Sequence, residues 1–171
     1  LVYIYIYTKT HLINALVVKN PSFSMDVFGL FIPNKILTNY DLCEYATRLK
    51  IPHFRGVFMR DTLPKKPHKV ECGIVNLNTS LECGSHWVCF YKNAKTRIYF
   101  DSFGQITPLE IQNYLKTRSE RDVGVIQRNT DIVQPINTSI CGHLCLFVLK
   151  ALMGEHWTFQ RVLTKLNNGY S

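Results

Sequence analysis

From Cys141 to Met153 the chain reads Cys-Gly-His-Leu-Cys-Leu-Phe-Val-Leu-Lys-Ala-Leu-Met, which is apolar on nearly every side of a helix. A helix without a polar face has to be enclosed, so the remaining residues must supply cover around it. Gly154 is a suitable terminating residue. The longest apolar run, Leu144 to Met153, is interrupted by Lys150. It falls short of the roughly 18 residues that a membrane-spanning helix needs, so the expectation is a soluble protein with no membrane partner.

A length of 171 residues with 46% hydrophobic content suits one domain with a single sizeable core. The segment Leu1 to Ser24 lacks a signal peptide's order of basic start, apolar centre and small-residue cleavage site. Its Val-Tyr-Ile-Tyr-Ile-Tyr run alternates like a strand, but the first methionine is Met25. Residues 1–24 therefore read as a leader or upstream translation, with an edge strand or flexible extension as the alternative, and 25–171 as the domain. Without a signal peptide, the cysteines at 43, 72, 83, 89, 141 and 145 are expected to be free thiols in a reducing compartment. Cys83-x-x-His86-x-x-Cys89 has ligand-like spacing, but no second paired cluster completes a zinc site, so no metal is expected.

Along the chain, Thr38 to Asp41 followed by Leu42, Tyr45, Ala46 and Leu49 predicts a capped amphipathic helix ending at Lys50. Cys72 to Asn78 predicts a buried strand. His86 to Tyr91 and Arg97 to Phe100 predict two strands joined by a hairpin turn at Lys92-Asn93-Ala94-Lys95. Pro108 to Thr117 predicts a helix and Val123 to Ile126 another strand. Strands packed on a buried helix make the expected class α+β.

Cys141 stands where a polar loop meets the apolar run, so it would head a helix whose opening N–H groups and dipole favour thiolate. Taken alone, such a cysteine reads as a small core residue. The surroundings reverse that reading. The predicted hairpin brings His86 and Asp101 to the same end of adjacent strands, where the carboxylate can orient an imidazole that takes the thiol proton. Gln134, seven residues before Cys141, could present its amide to an oxyanion. Gly142 would leave room there for a substrate backbone. Trp87 is expected both to cover the imidazolium and to fill the core. The rivals fare worse: Cys145 lies one turn further into the apolar run, His143 projects to the opposite side of the helix, and His53, His68 and His156 stand in solvent-facing loops.

A formal charge of +8 draws polyanions. Lys65, Lys66, His68 and Lys69 form one cluster, and Arg118, Arg121 and Arg128 are spread through another. Neither has the interleaved aromatics of a single-strand binding face, so a solvated surface is the plain reading and DNA contact through Lys65, Lys66 and Lys69 its rival.

Gly84-Ser85-His86-Trp87, Tyr99-Phe100-Asp101-Ser102-Phe103-Gly104 and Gln134-Pro135-Ile136-Asn137-Thr138-Ser139-Ile140-Cys141-Gly142 together resemble the adenovirus-type cysteine protease family. That family sits in the larger group that includes the ubiquitin-like-protein proteases. The step from Gln134 to Cys141 looks like the viral branch. Phe54 to Met59 and Glu71 to Leu77 also look similar to proteases of Maverick/Polinton elements and adintoviruses.

The resemblance covers roughly Met25 to Gly154. It implies a papain-like architecture, a central mixed sheet with the nucleophile at the N-terminus of a buried helix, and catalytic roles for His86, Asp101, Gln134 and Cys141. It further implies a monomeric endopeptidase that cleaves viral or transposon capsid and core precursors in the host nucleus or cytoplasm, or packaged in particles. No cofactor is needed for that chemistry, although DNA or a peptide could activate it. This chain departs from the family in having Asp101 where adenovirus enzymes usually carry glutamate. Its tail is shorter, and Arg118 to Asp131 contains no cysteine, which argues against covalent peptide activation. The alternatives are a ubiquitin-like-protein isopeptidase and a non-catalytic DNA- or capsid-binding module derived from a protease.

Overall fold

The computed structural model describes residues 24–116 and 125–169. The predicted leader, apart from Ser24, lies outside them, as do Arg118 and Arg121. A five-stranded sheet of order β3-β4-β5-β6-β7 is built from β3 (Phe54–Met59), β4 (Glu71–Asn76), β5 (Trp87–Lys92), β6 (Arg97–Phe100) and β7 (Gln127–Arg128). The inner pairs are antiparallel and the outer pairs, β3 with β4 and β6 with β7, are parallel. A separate hairpin, β1 (Ser24–Val27) with β2 (Leu30–Pro33), precedes it. The helices are α1 (Asn39–Arg48), α2 (Leu109–Lys116), α3 (Cys141–Leu149) and α4 (Phe159–Asn167). This is the α+β arrangement expected, with a central mixed sheet. Among the described residues no helix is long and apolar enough to cross a membrane.

Strand alternation separates two cores. Cys72, Ile74, Cys89, Ile98 and Phe100 face the larger one with α1, α3, α4 and the β1–β2 hairpin. Val75, Val88, Phe90 and Tyr99 face a smaller one with Ile111, Tyr114 and Leu115 of α2. Every residue of α3 is buried, as its lack of a polar face requires. At roughly 1.5–3 kcal/mol for each large apolar side chain taken from water, this packing outweighs intrinsic helix propensities of a few tenths per residue. Helix α1 begins with a reciprocal box: Thr38 Oγ1 accepts from Asp41 N at 3.2 Å and Asp41 Oδ2 accepts from Thr38 N at 2.8 Å. Lys50 leaves the helix at a positive φ of 51°.

Several expectations need correction. The predicted strand Val123 to Ile126 is displaced: residues 123 and 124 lie outside the described residues, and the pairing residues are Gln127 and Arg128, opposite Ile98 and Tyr99. The predicted α-helix to Met153 changes to a π-helical turn at Lys150–Gly154. The helical run does end at Gly154, as expected, and the glycine has a second use. A Cβ on it would lie 2.7 Å from Lys150 Nζ, so the bare glycine leaves room for the lysine, which ion-pairs with Glu155 at 3.0 Å. The β1–β2 hairpin, β3 and α4 had no counterpart among the elements expected from the sequence.

Candidate active site

The β5–β6 hairpin places two of the predicted residues. Asn93 Oδ1 accepts from Lys95 N at 2.9 Å and from Thr96 N at 2.7 Å, which shapes the turn and holds Lys92 opposite Arg97. Cys89 pairs with Phe100 at the other end of the ladder, so continuing the register sets Asp101 across from Val88 and Phe103 across from His86. His86 lies one residue ahead of β5, a shift from the expected start. A histidine in step with Val88 and Phe90 would share their face toward α2. Outside the ladder, His86 turns instead to the Cys141 end of α3.

Buried asparagine organises the loop leading into the histidine. Asn76 Oδ1 accepts from Asn78 N at 3.0 Å and Ser85 N at 3.2 Å, and Leu77 N donates to the His86 carbonyl at 3.0 Å. A Cβ on Gly84 would come within 2.9 Å of Asn76 Nδ2, so a residue without a side chain lets the loop close over that amide.

His86 Nε2 and Asp101 Oδ1 are 2.8 Å apart, and the carboxylate is 1% exposed. The same oxygen accepts from Phe103 N at 2.8 Å. Asn129 clamps the aspartate backbone, donating through Nδ2 to its carbonyl at 2.6 Å and accepting its N–H at 3.1 Å. Gly104, at φ 67°, passes so close to the Thr130 carbonyl that a Cβ would lie 2.5 Å from it. The ring contact to the imidazole comes from Phe103, with centroids 4.9 Å apart. Trp87 was expected in that place, but its indole donates to the Leu37 carbonyl at 2.9 Å and packs against the larger core.

Cys141 opens α3, and its thiol shares a hydrogen bond with His86. With Nε2 engaged by Asp101, Nδ1 is the ring nitrogen left for the sulfur. The helix starts without a side-chain cap, and the N–H of Gly142 in its first turn is directed at the Cys141 sulfur. Burial pushes the Cys141 thiol up, but the hydrogen bond to His86, backbone hydrogen bonds from Trp87 and Gly142, and the imidazolium charge bring it below the ordinary thiol value. Burial likewise disfavours the charged His86. Hydrogen bonds to Asp101 and Cys141, together with their charges, win and hold it up at about 9. Sulfur and imidazole are thus matched for a thiolate–imidazolium pair.

Gln134 is buried in the loop before α3. Its Oε1 accepts from Ser102 Oγ at 2.7 Å and its Nε2 donates to the Thr138 carbonyl at 2.6 Å. Gly142 corrects another expectation: a Cβ there would meet Leu42 at 3.1 Å and Leu37 at 3.4 Å, so the glycine admits α1 and the residue-37 loop to the helix start. Cys145 is fully buried, and burial first, then neighbouring Cys89, pushes its thiol well above the ordinary value. His143 bonds through Nε2 to the Pro33 carbonyl at 2.9 Å, on the far side from His86, and burial lowers its pKa. His53, His68 and His156 are exposed, as are Lys65, Lys66 and Lys69. The zinc-like triplet is dispersed: Cys83 is exposed, Cys89 is buried and His86 is committed to Asp101 and Cys141.

Residues 54–165 match the sequence profile of the family described as adenovirus endoprotease. The chain belongs to that family. A relative named "Protease" from Bovine adenovirus 2 is 30% identical over 115 residues, which are 60% of this chain and 56% of that protein. The chain therefore spans little more than half the length of this adenovirus relative. Among solved structures, a SUMO protease Ulp1 with its catalytic cysteine oxidised to a sulfinic acid aligns with a TM-score of 0.47 and 12% identity, over 94% of this chain and 90% of that one. For this member of the adenovirus endoprotease family, sequence alone did not single out Asn76, Ser102, Phe103 or Asn129. Ser102 and Phe103 carried a signal, since both lie in the quoted aspartate motif. Asn76 and Asn129 carried none, because a buried asparagine is indistinguishable in sequence from a turn residue.

Proposed function

We propose that this chain is a cysteine endopeptidase with Cys141 as nucleophile, His86 as base and acid, Asp101 as the group that orients His86, and Gln134 as an oxyanion donor. The observation that carries the reading is the single chain of contacts from Asp101 Oδ1 through His86 to the Cys141 thiol at an uncapped helix start. Attack of the thiolate sulfur on a peptide carbonyl carbon makes the S–C bond and places the displaced electron pair on oxygen. Gln134 Nε2–H and the Cys141 N–H stabilise that charge. Collapse breaks the C–N bond as the imidazolium donates its proton to the departing amine. Water, deprotonated by His86, then attacks the thioester. The acid leaves as the C–S bond breaks, and the sulfur departs as thiolate beside the protonated His86, which restores the starting pair.

The substrates we assign are capsid or core precursors of a DNA virus or virus-like transposon, cleaved in the host nucleus or cytoplasm or inside the particle. Family membership supports this choice. Mass spectrometry of neighbouring structural proteins incubated with the native chain and with Cys141→Ala tests it. Discrete cleavages present only with the native chain are expected. Cleavage confined to a ubiquitin-like probe would move the assignment to isopeptidase. We further assign DNA as a non-covalent activator, held by the exposed Lys65, Lys66 and Lys69 loop; the +8 charge supports that reading.

A further inference from the structure

The oxyanion amide has a partner of its own. Gln134 is 3% exposed and its side chain is engaged at both ends, by Ser102 Oγ and by the Thr138 carbonyl. A carbonyl can only accept, so Thr138 demands that Nε2 face it. Oε1 then faces Ser102, whose hydroxyl must donate. Thr138 is itself pinned, donating through N at 3.1 Å and Oγ1 at 2.8 Å to the Pro135 carbonyl. Ser102 is fully buried, and its own carbonyl accepts from Val133 N at 2.9 Å and Gln134 N at 3.2 Å.

We propose that Ser102 is a positioning residue for oxyanion stabilisation, holding the Gln134 amide plane so that its second Nε2 hydrogen points to the developing charge. This rests on the assignment of Gln134 as oxyanion donor. Two physical effects act together. Donation to Oε1 fixes the amide about its last side-chain torsion, which is otherwise broad. Hydrogen bonds in series also polarise one another, so an amide whose oxygen accepts is a stronger donor at nitrogen. Because Ser102 directly follows Asp101, the segment that orients the base also sets the oxyanion donor.

The test is a double-mutant cycle of Ser102→Ala and Gln134→Ala, read with a peptidyl-Gly-Gly-aminomethylcoumarin substrate, the aldehyde acetyl-Gly-Gly-glycinal and iodoacetamide. The aldehyde forms a tetrahedral adduct whose oxygen needs the donor, whereas alkylation does not. For Ser102→Ala, kcat is expected to fall roughly tenfold with KM within about twofold, and aldehyde affinity to fall in step. Alkylation of Cys141 should keep its native rate. In the Gln134→Ala background the serine change should cost nothing further.

Native-like turnover and aldehyde binding by Ser102→Ala, beside an impaired Gln134→Ala, overturns this proposal alone. Additive losses in the cycle, or an equal loss of alkylation, overturn it by showing a general structural role. Native-like behaviour of Gln134→Ala overturns both it and the oxyanion assignment beneath it. Should Ser102→Ala fail to fold, Ser102→Cys keeps a weaker donor. Turnover between native and Gln134→Ala then supports the proposal, and native turnover overturns it.

Discussion

The two ends of the central sheet each bury a carboxylate, and only one of them can move a proton. At the Trp87 end of β5, Asp101 meets an imidazole that is hydrogen-bonded to a thiol. At the opposite end, Glu71 accepts from Tyr114 Oη at 2.9 Å and ion-pairs with Arg55 Nε at 3.2 Å. Both carboxylates are almost fully buried. The difference lies in the partner. A guanidinium does not deprotonate in proteins, and burial and Glu71 push the Tyr114 hydroxyl far above neutrality, so neither of these two partners gives up a proton near neutral pH. His86 instead is held up at about 9 by Asp101 and Cys141, and Cys141 is brought below the ordinary thiol value by His86. Burial of charge therefore stabilises one end and prepares the other for chemistry.

The sharpest break in that comparison is at the sulfur. Cys141→Ala should abolish peptide cleavage while thermal unfolding stays close to native, since alanine is small and helix-compatible. Cleavage by that variant would remove the catalytic assignment. Next comes Gln134→Ala, expected to lower turnover about a hundredfold or more with little change in Cys141 alkylation, because an oxyanion donor is lost and the base is not. Loss of alkylation as well would make the glutamine structural.

The pH profile tests whether the two ends differ in their ability to titrate. The thiolate–imidazolium pair should form at pH values below the ordinary thiol pKa, so alkylation of Cys141 rises early, and turnover should fall as pH passes about 9, where His86 loses its proton. His86 binds its proton more tightly folded than unfolded. Its contribution to stability is therefore full below about 6.5 and is lost as pH rises through about 9. A falling limb near 6.5, in place of one near 9, would show that the imidazole is not held by Asp101.

Glu71→Ala should do the reverse of Cys141→Ala. It removes the carboxylate that Arg55 and Tyr114 share and should cost about 2–3 kcal/mol in urea unfolding, reduced from the fully buried case because Arg55 is partly exposed. Cys141 alkylation should keep its rate; a parallel fall would mean that the two ends are coupled. The smallest expected effect lies outside both ends. Replacing Lys65, Lys66 and Lys69 with glutamine should flatten the salt dependence of DNA binding, lowering the log–log slope by about one for each phosphate that is no longer neutralised. An unchanged slope would leave these lysines as solvated surface.

Residue types and their order in the chain already singled out Cys141, His86, Asp101 and Gln134, the β6 span, the capped α1 and the burial of α3. Hydrophobic period, capping residues and motif spacing are local properties, and each of these features follows from one of them. The adenovirus endoprotease resemblance was carried by the same short motifs. Only the tertiary structure decided which partner each polar group meets. It put Phe103 and not Trp87 on the imidazole, turned Gly142 toward Leu37 and Leu42, and stitched Asn129 to Asp101 and Ser102 to Gln134 across 28 and 32 residues of chain. It also located β7 directly after the described part of the predicted apolar stretch, where Gln127 and Arg128 pair with Ile98 and Tyr99 of β6. Contacts of that kind depend on where distant segments come to rest. A side chain's type announces what it can bond to, and the assembled fold determines what is within reach.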